Sequence, residues 1–189
     1  GDLFVLPDAT PENLKKMEWL QPHFVDEKWR PITSIQAFVI ETPEKKIIVD
    51  TCLGNDKKRS LPFWNNLQTK FIDDLTDIGY HPDVIDLVLC THLHTDHVGW
   101  NTKLVNNEWV PTFKNAEYLF GAKEWEYTEK QLLNDPLYEE FIIDSIQPII
   151  KADLVRFVDL NEQITKEVKL EPTLGHTPGH TSILIESGG

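Results

Sequence analysis

Thr91-His92-Leu93-His94-Thr95-Asp96-His97 sets three imidazoles and a carboxylate close together, and Val98-Gly99-Trp100 follows as a turn. These side chains bind a borderline divalent metal such as zinc. The run before them, Ile85 to Cys90, is apolar and reads as a buried strand. The cluster therefore stands where a strand ends and the chain turns, the usual place for a site on an α/β scaffold. His92 and His94 are two apart, and alternate residues of an extended segment point the same way. Asp96 and His97 come after the turn and can face a second metal beside the first.

Two further stretches bear on the same site. Ile47-Ile48-Val49-Asp50 is an apolar strand ending in a carboxylate. Left unpaired there, Asp50 would be costly; it either caps the following loop or accepts hydrogen bonds from the ligand loop, and the second reading is preferred. Gly175-His176-Thr177-Pro178-Gly179-His180 is a turn whose glycines and proline allow a sharp bend. The remaining histidines, His23 and His81, stand alone and read as structural or solvated.

The three stretches together resemble the metallo-β-lactamase superfamily, whose signature is HxHxDH. Chance would produce that pattern in about one such sequence in a thousand. The resemblance implies an α+β fold, the αββα sandwich; the periodicity alone shows only mixed α and β. It implies that His92, His94 and His176 hold one metal, that Asp96 and His97 hold a second, and that Asp50 and His180 support the ligands from behind. Zinc, two ions per intact site, is the expected cofactor, with iron, manganese or cobalt as alternatives. Asp96 is the expected catalytic residue, orienting a metal-activated hydroxide and moving its proton. The implied reaction is hydrolysis of an ester, lactone or phosphoester of a small molecule. Flavodiiron relatives usually carry glutamate where this chain has His94, which favours a hydrolase. The segments Asp50 to Asp56 and Val98 to Asn101 resemble the branch holding lactonases and methyl-parathion-hydrolase-like enzymes. Trp64, Trp100, Trp109 and Phe113 could wall an apolar pocket, Trp100 first because it is nearest the ligands. Intact members carry a bridging aspartate and a final histidine further on, so the sandwich is expected to be incomplete at the C-terminus. The alternatives are a degenerate metal-binding fragment and a nuclease of the same superfamily.

Composition bounds the partners. The chain has 189 residues, 40% hydrophobic, enough for one domain over 1–189 with a real core. Lys plus Arg is 18 and Asp plus Glu is 31, a formal charge of −13. That balance argues against a nucleic-acid backbone and an anionic membrane surface; a homodimer is compatible with it. No apolar run approaches a membrane span, and no signal-peptide pattern is seen. Cys52 and Cys90 are too few for a disulfide framework and read as small buried residues near the site, fitting a cytoplasmic location. Both ends look cut: Asp2 to Leu6 reads as a chain in progress, and Ser187-Gly188-Gly189 as a turn lacking its second strand.

Along the chain, Thr10 caps a helix reaching Leu20. Ser34 to Glu41 and Lys46 to Asp50 form a hairpin. The basic run in Asp56-Lys57-Lys58-Arg59 reads as a solvated loop face, or as a lining of the pocket entrance that attracts an anionic substrate. A helix is expected over Trp64 to Ile78, stopped by Gly79. A small hairpin turns at Asn106-Asn107. Ala116 to Phe120 is a strand, Ala122 to Leu133 a helix, and Pro136 opens a helix to Ile146. Leu154 to Leu160, Ile164 to Glu171 and Thr181 to Glu186 read as strands.

Overall fold

A computed structural model describes residues 8–187. The run Asp2 to Leu6 and the last two glycines lie outside the described residues. The chain divides into two compact units, bounded between Ile35 and Gln36. In the first, Thr10 caps helix α1 (Pro11–Leu14) through its hydroxyl, and a separate helical turn covers Glu18–Leu20. The expected helix to Leu20 is thus broken into two short turns.

The second unit is built on a five-stranded sheet. Its strands are β1 (Phe38–Glu41), β2 (Lys46–Val49), β3 (Leu87–Leu89), β6 (Glu117–Gly121) and β7 (Val155–Val158), in the order β1-β2-β3-β6-β7. Only β1 runs antiparallel to its neighbour. The central strands are apolar throughout because both faces are covered. One face presents Ile48, Val88, Tyr118 and Phe120 to Leu75 of α2 (Phe71–Asp77) and to the helical segment α5 (Pro136–Phe141) through α6 (Gln147–Lys151). The other presents Ile47, Val49, Leu87, Leu89 and Leu119 to Val168 and Leu170. These last belong to β8 (Val168–Pro172), which pairs antiparallel with β9 (Thr181–Ile185). Helices, sheet and a second sheet stack in layers, as the family resemblance implied.

Register fixes where the site falls. Val49 sits beside Leu89, and Leu89 beside Leu119. Asp50, Thr91 to His92 and Gly121 therefore emerge together at the C-terminal ends of parallel strands. Beyond them lie α3 (Thr95–Val98) and the hairpin of β4 (Thr102–Val105) and β5 (Glu108–Pro111). That hairpin turns through Asn106 and Asn107, both at positive φ, as a two-residue turn requires. After β6 comes α4 (Ala122–Gln131).

Three expectations change. The helix expected from Trp64 starts only at Phe71. Asn66 adopts φ +50°, and the Asn55 side chain grips the backbone of Thr69 at both N–H (2.8 Å) and C=O (3.0 Å), holding the segment out of a helix. The helix from Pro136 does not stop at Ile146. It passes through a wide π turn over Ile142–Ile146 and continues to Lys151. The basic run is not a solvated face. Lys57 is 1% exposed and Arg59 is buried, while Lys58 between them faces water.

The last two corrections share a cause. Pro148 has no N–H to donate to the carbonyl of Asp144 one turn back. That carbonyl instead accepts hydrogen bonds from Lys57 Nζ at 3.0 Å and from the Thr102 hydroxyl. The Asp144 carboxylate takes two bonds from Arg59, at 2.7 and 3.0 Å, and lies 3.5 Å from Lys57 Nζ, which also sits over the Trp109 ring. Two buried cations thus share one carboxylate. Burial, only partly offset by Asp144, lowers the Lys57 amine to about 7.

Candidate metal centre

Four chain segments converge at the strand ends. After β2 the chain enters Asp50 at φ +53°, a conformation uncommon for a residue with a Cβ. There the Asp50 carboxylate accepts hydrogen bonds from Thr91 N–H (2.9 Å) and the Thr91 hydroxyl (2.9 Å), and pairs with His97 Nδ1 at 2.8 Å. Thr51 N–H donates to His97 C=O at 2.7 Å. The ligand loop thus lies against the loop after β2. The packing is so close that a Cβ on Gly99 would come within 1.9 Å of the Leu53 backbone.

The third segment is the turn bearing His176, brought in by Glu124 near the start of α4. Glu124 is 1% exposed and accepts three hydrogen bonds: from Leu93 N–H (3.1 Å), the Thr177 hydroxyl (2.6 Å) and Gly179 N–H (3.1 Å). One carboxylate so ties the HxHxDH loop to a turn more than fifty residues away. Gly179 is needed for this approach, since a Cβ there would lie 2.4 Å from Glu124 N. Thr181 N–H adds a bond to Thr91 C=O at 3.0 Å.

His92, His94 and His176 consequently offer one ligand atom each, all within 4.8 Å of one another. His94 Nδ1 and His176 Nε2 are 3.0 Å apart. His92 Nε2 is buried and has no hydrogen-bond partner among the described residues, while its Nδ1 lies 3.1 Å from the Thr91 hydroxyl. A buried imidazole nitrogen with nothing to bond is costly, and a cation is what such a lone pair accommodates. Burial, reinforced by the neighbouring imidazoles, disfavours protonation here. It lowers His94 to about 4 and His92 further. Both rings are neutral nitrogen donors near pH 7, as a metal site requires.

Asp96 and His97 stand on the other side of His92, whose ring centroid is 4.0 Å from that of His97. His97 Nε2 lies 3.5 Å from Asp96. Burial opposes charge on His97, but Asp50 and Asp96 outweigh it and raise the ring to about 9. Burial likewise opposes charge on Asp96, and hydrogen bonding to His97 wins, lowering the carboxyl. His180 has its ring 4.9 Å from that of His92 and its Nδ1 2.9 Å from the Thr173 hydroxyl. Cys52 and Cys90 are free thiols; burial raises both, Cys52 to about 12, so neither is a ready thiolate.

The four aromatic side chains named as a pocket wall are all packed against protein groups. Trp100 is 7% exposed and stacks on Phe71 at 5.6 Å; Trp109 lies under Lys57; Trp64 packs on Phe63; Phe113 is in the core. The stacked pair of Trp100 and Phe71 braces the ligand loop against α2. Sequence reasoning missed Glu124 and Tyr138. Glu124 sits among other acids on a helix, where a solvated face is the natural reading. Tyr138 places its hydroxyl 3.2 Å from His94 Nε2.

Residues 30–189 match the family described as Metallo-beta-lactamase superfamily. The chain belongs to this superfamily. An N-acyl homoserine lactonase from a Bacillus species is 26% identical over 165 residues, covering 81% of this chain and 58% of that protein. A probable metallo-hydrolase of Methanocaldococcus jannaschii is 26% identical over 121 residues, covering 64% and 42%. Among solved structures, a probable metal-dependent hydrolase from Staphylococcus aureus superposes with TM-score 0.72 at 22% identity, covering 92% of this chain and 61% of that one. AidC, a dizinc quorum-quenching lactonase, does so with TM-score 0.67 at 26% identity, covering 96% and 61%. The chain thus spans about three fifths of the length of the lactonase and of the two solved structures, and 42% of the Methanocaldococcus protein.

Proposed function

We propose that this chain carries the principal metal site of a metal-dependent hydrolase that opens ester or lactone bonds in small molecules. The observation that carries the reading is the convergence of His92, His94 and His176, with a nitrogen on His92 that no described residue meets. The likeness to lactonases, one of them dizinc, supports the substrate class. The charge of −13 weighs against the nuclease reading.

His92, His94 and His176 would hold a divalent ion, which would supply a water of lowered pKa and a Lewis acid for the substrate oxygen. The residues do the rest. Asp96, kept ionised by His97, orients the attacking water and accepts its proton. The water oxygen bonds to the lactone carbonyl carbon, the ring C–O bond breaks, and the departing oxygen receives the proton from Asp96. Asp50 fixes the Thr91 end of the loop and the orientation of His97 throughout. His97 and Asp96 hold a proton between them that a second cation would displace, so the same pair offers the second site.

The test is zinc content by mass spectrometry together with turnover of a panel of acyl-homoserine and other lactones. We expect bound zinc and lactone opening. His92→Ala should retain the fold, lose zinc and lower turnover by roughly two orders of magnitude or more. Zinc binding without turnover would replace the hydrolase reading with that of a metal-binding fragment. Turnover unchanged in His92→Ala would overturn the site itself.

A further inference from the structure

The two nitrogens of His94 face different neighbours. Nδ1 looks to His176 Nε2 at 3.0 Å, and Nε2 to the Tyr138 hydroxyl at 3.2 Å. A neutral imidazole carries one N–H, so only one tautomer leaves a lone pair on Nδ1. Other imidazoles of the cluster have outer partners: His92 Nδ1 meets the Thr91 hydroxyl, and His97 Nδ1 meets Asp50. Such partners set the tautomer and aim of a ligating ring. Among the described residues no carboxylate takes that role for His94. Its outer nitrogen is met instead by a phenol from α5, a helix that contributes no histidine.

We propose that Tyr138 is a positioning residue that accepts the Nε2–H of His94, fixing the tautomer whose Nδ1 lone pair points at His92 and His176. The phenol can do this because its oxygen carries lone pairs that accept a ring N–H, and its ring packs edge-on against that of Tyr127 at 6.3 Å. The ring is held from its other side by Phe141, at 5.3 Å between centroids. The role in metal binding rests on reading His92, His94 and His176 as the metal site; the tautomer does not.

The experiment is long-range 15N–1H correlation of the histidine rings in metal-free protein, paired with zinc affinity by chelator competition. Wild type should show His94 as the Nε2–H tautomer. Tyr138→Phe keeps the ring and its packing, so its melting temperature should stay close to wild type. Its His94 should become a tautomer mixture, and its zinc affinity should fall about tenfold. A wild-type His94 found as the Nδ1–H tautomer would overturn the proposal, as would a Tyr138→Phe variant with unchanged tautomer and unchanged affinity. Absence of zinc binding in wild type would count against the metal site alone, since the tautomer is read without metal.

Discussion

A buried carboxylate that accepts three hydrogen bonds cannot be shortened without stranding its donors. Glu124 is such a group, and two of its donors are backbone N–H groups of the segments that carry His92, His94 and His176. Glu124→Ala should destabilise the fold by about 2–4 kcal/mol in denaturant melts and weaken zinc binding with it. Glu124→Gln keeps one acceptor oxygen and should lie between. Equal melts for alanine and wild type would remove the carboxylate from the account of the site. The histidines themselves were legible because their chemistry is local: spacing and side-chain type suffice to nominate them. Glu124 and Tyr138 were not, because their roles come from partners tens of residues distant and their own neighbourhoods look ordinary.

Elements were legible where a turn residue decided them. Asn106-Asn107 and Gly79 did so, and the observed hairpin and helix end agree. The Trp64 helix failed because Asn55 and Asn66 impose a local backbone that apolar periodicity does not register. The π turn also lay beyond the pattern, since it arises from one missing N–H at Pro148 together with side chains reaching in from Lys57 and Thr102. Burial of Lys57 at this element has a consequence for pH. Its folded value, about 7, lies below the ordinary 10.5. Between those limits the unfolded chain binds more protons, so stability from this group rises with pH across that window and is absent below it. Relative to Lys57→Met, the wild-type melting temperature should therefore climb from pH 7 towards pH 10. A constant difference would mean that Asp144 holds Lys57 charged throughout. A simpler check concerns the crossing of loops: Gly99→Ala, with its Cβ 1.9 Å from Leu53, should cost more than about 3 kcal/mol, read from the midpoint of urea unfolding.

At the scale of the whole molecule, the pattern of residues gave mixed α and β, and the layering came from the family resemblance; the central strands were legible because a sheet covered on both faces is apolar along its length. Where each imidazole would sit did not follow; that depends on register between strands. A ligand that binds only the folded chain raises its stability by mass action. Zinc at one hundred times its dissociation constant should add about 2.7 kcal/mol, and EDTA should return the melting temperature to its metal-free value. No shift with zinc would mean that the cluster is already satisfied without a cation.

Thr181 meets Thr91 across ninety positions of sequence, and the His176 turn is seated only when that contact and the Glu124 bonds are made. A nascent chain therefore exposes its first two imidazoles long before the third exists to join them. Metal loading at this cluster is therefore expected to close maturation rather than to trigger it. In refolding with cobalt as a coloured substitute, the visible absorption of the site should trail recovery of the far-ultraviolet signal.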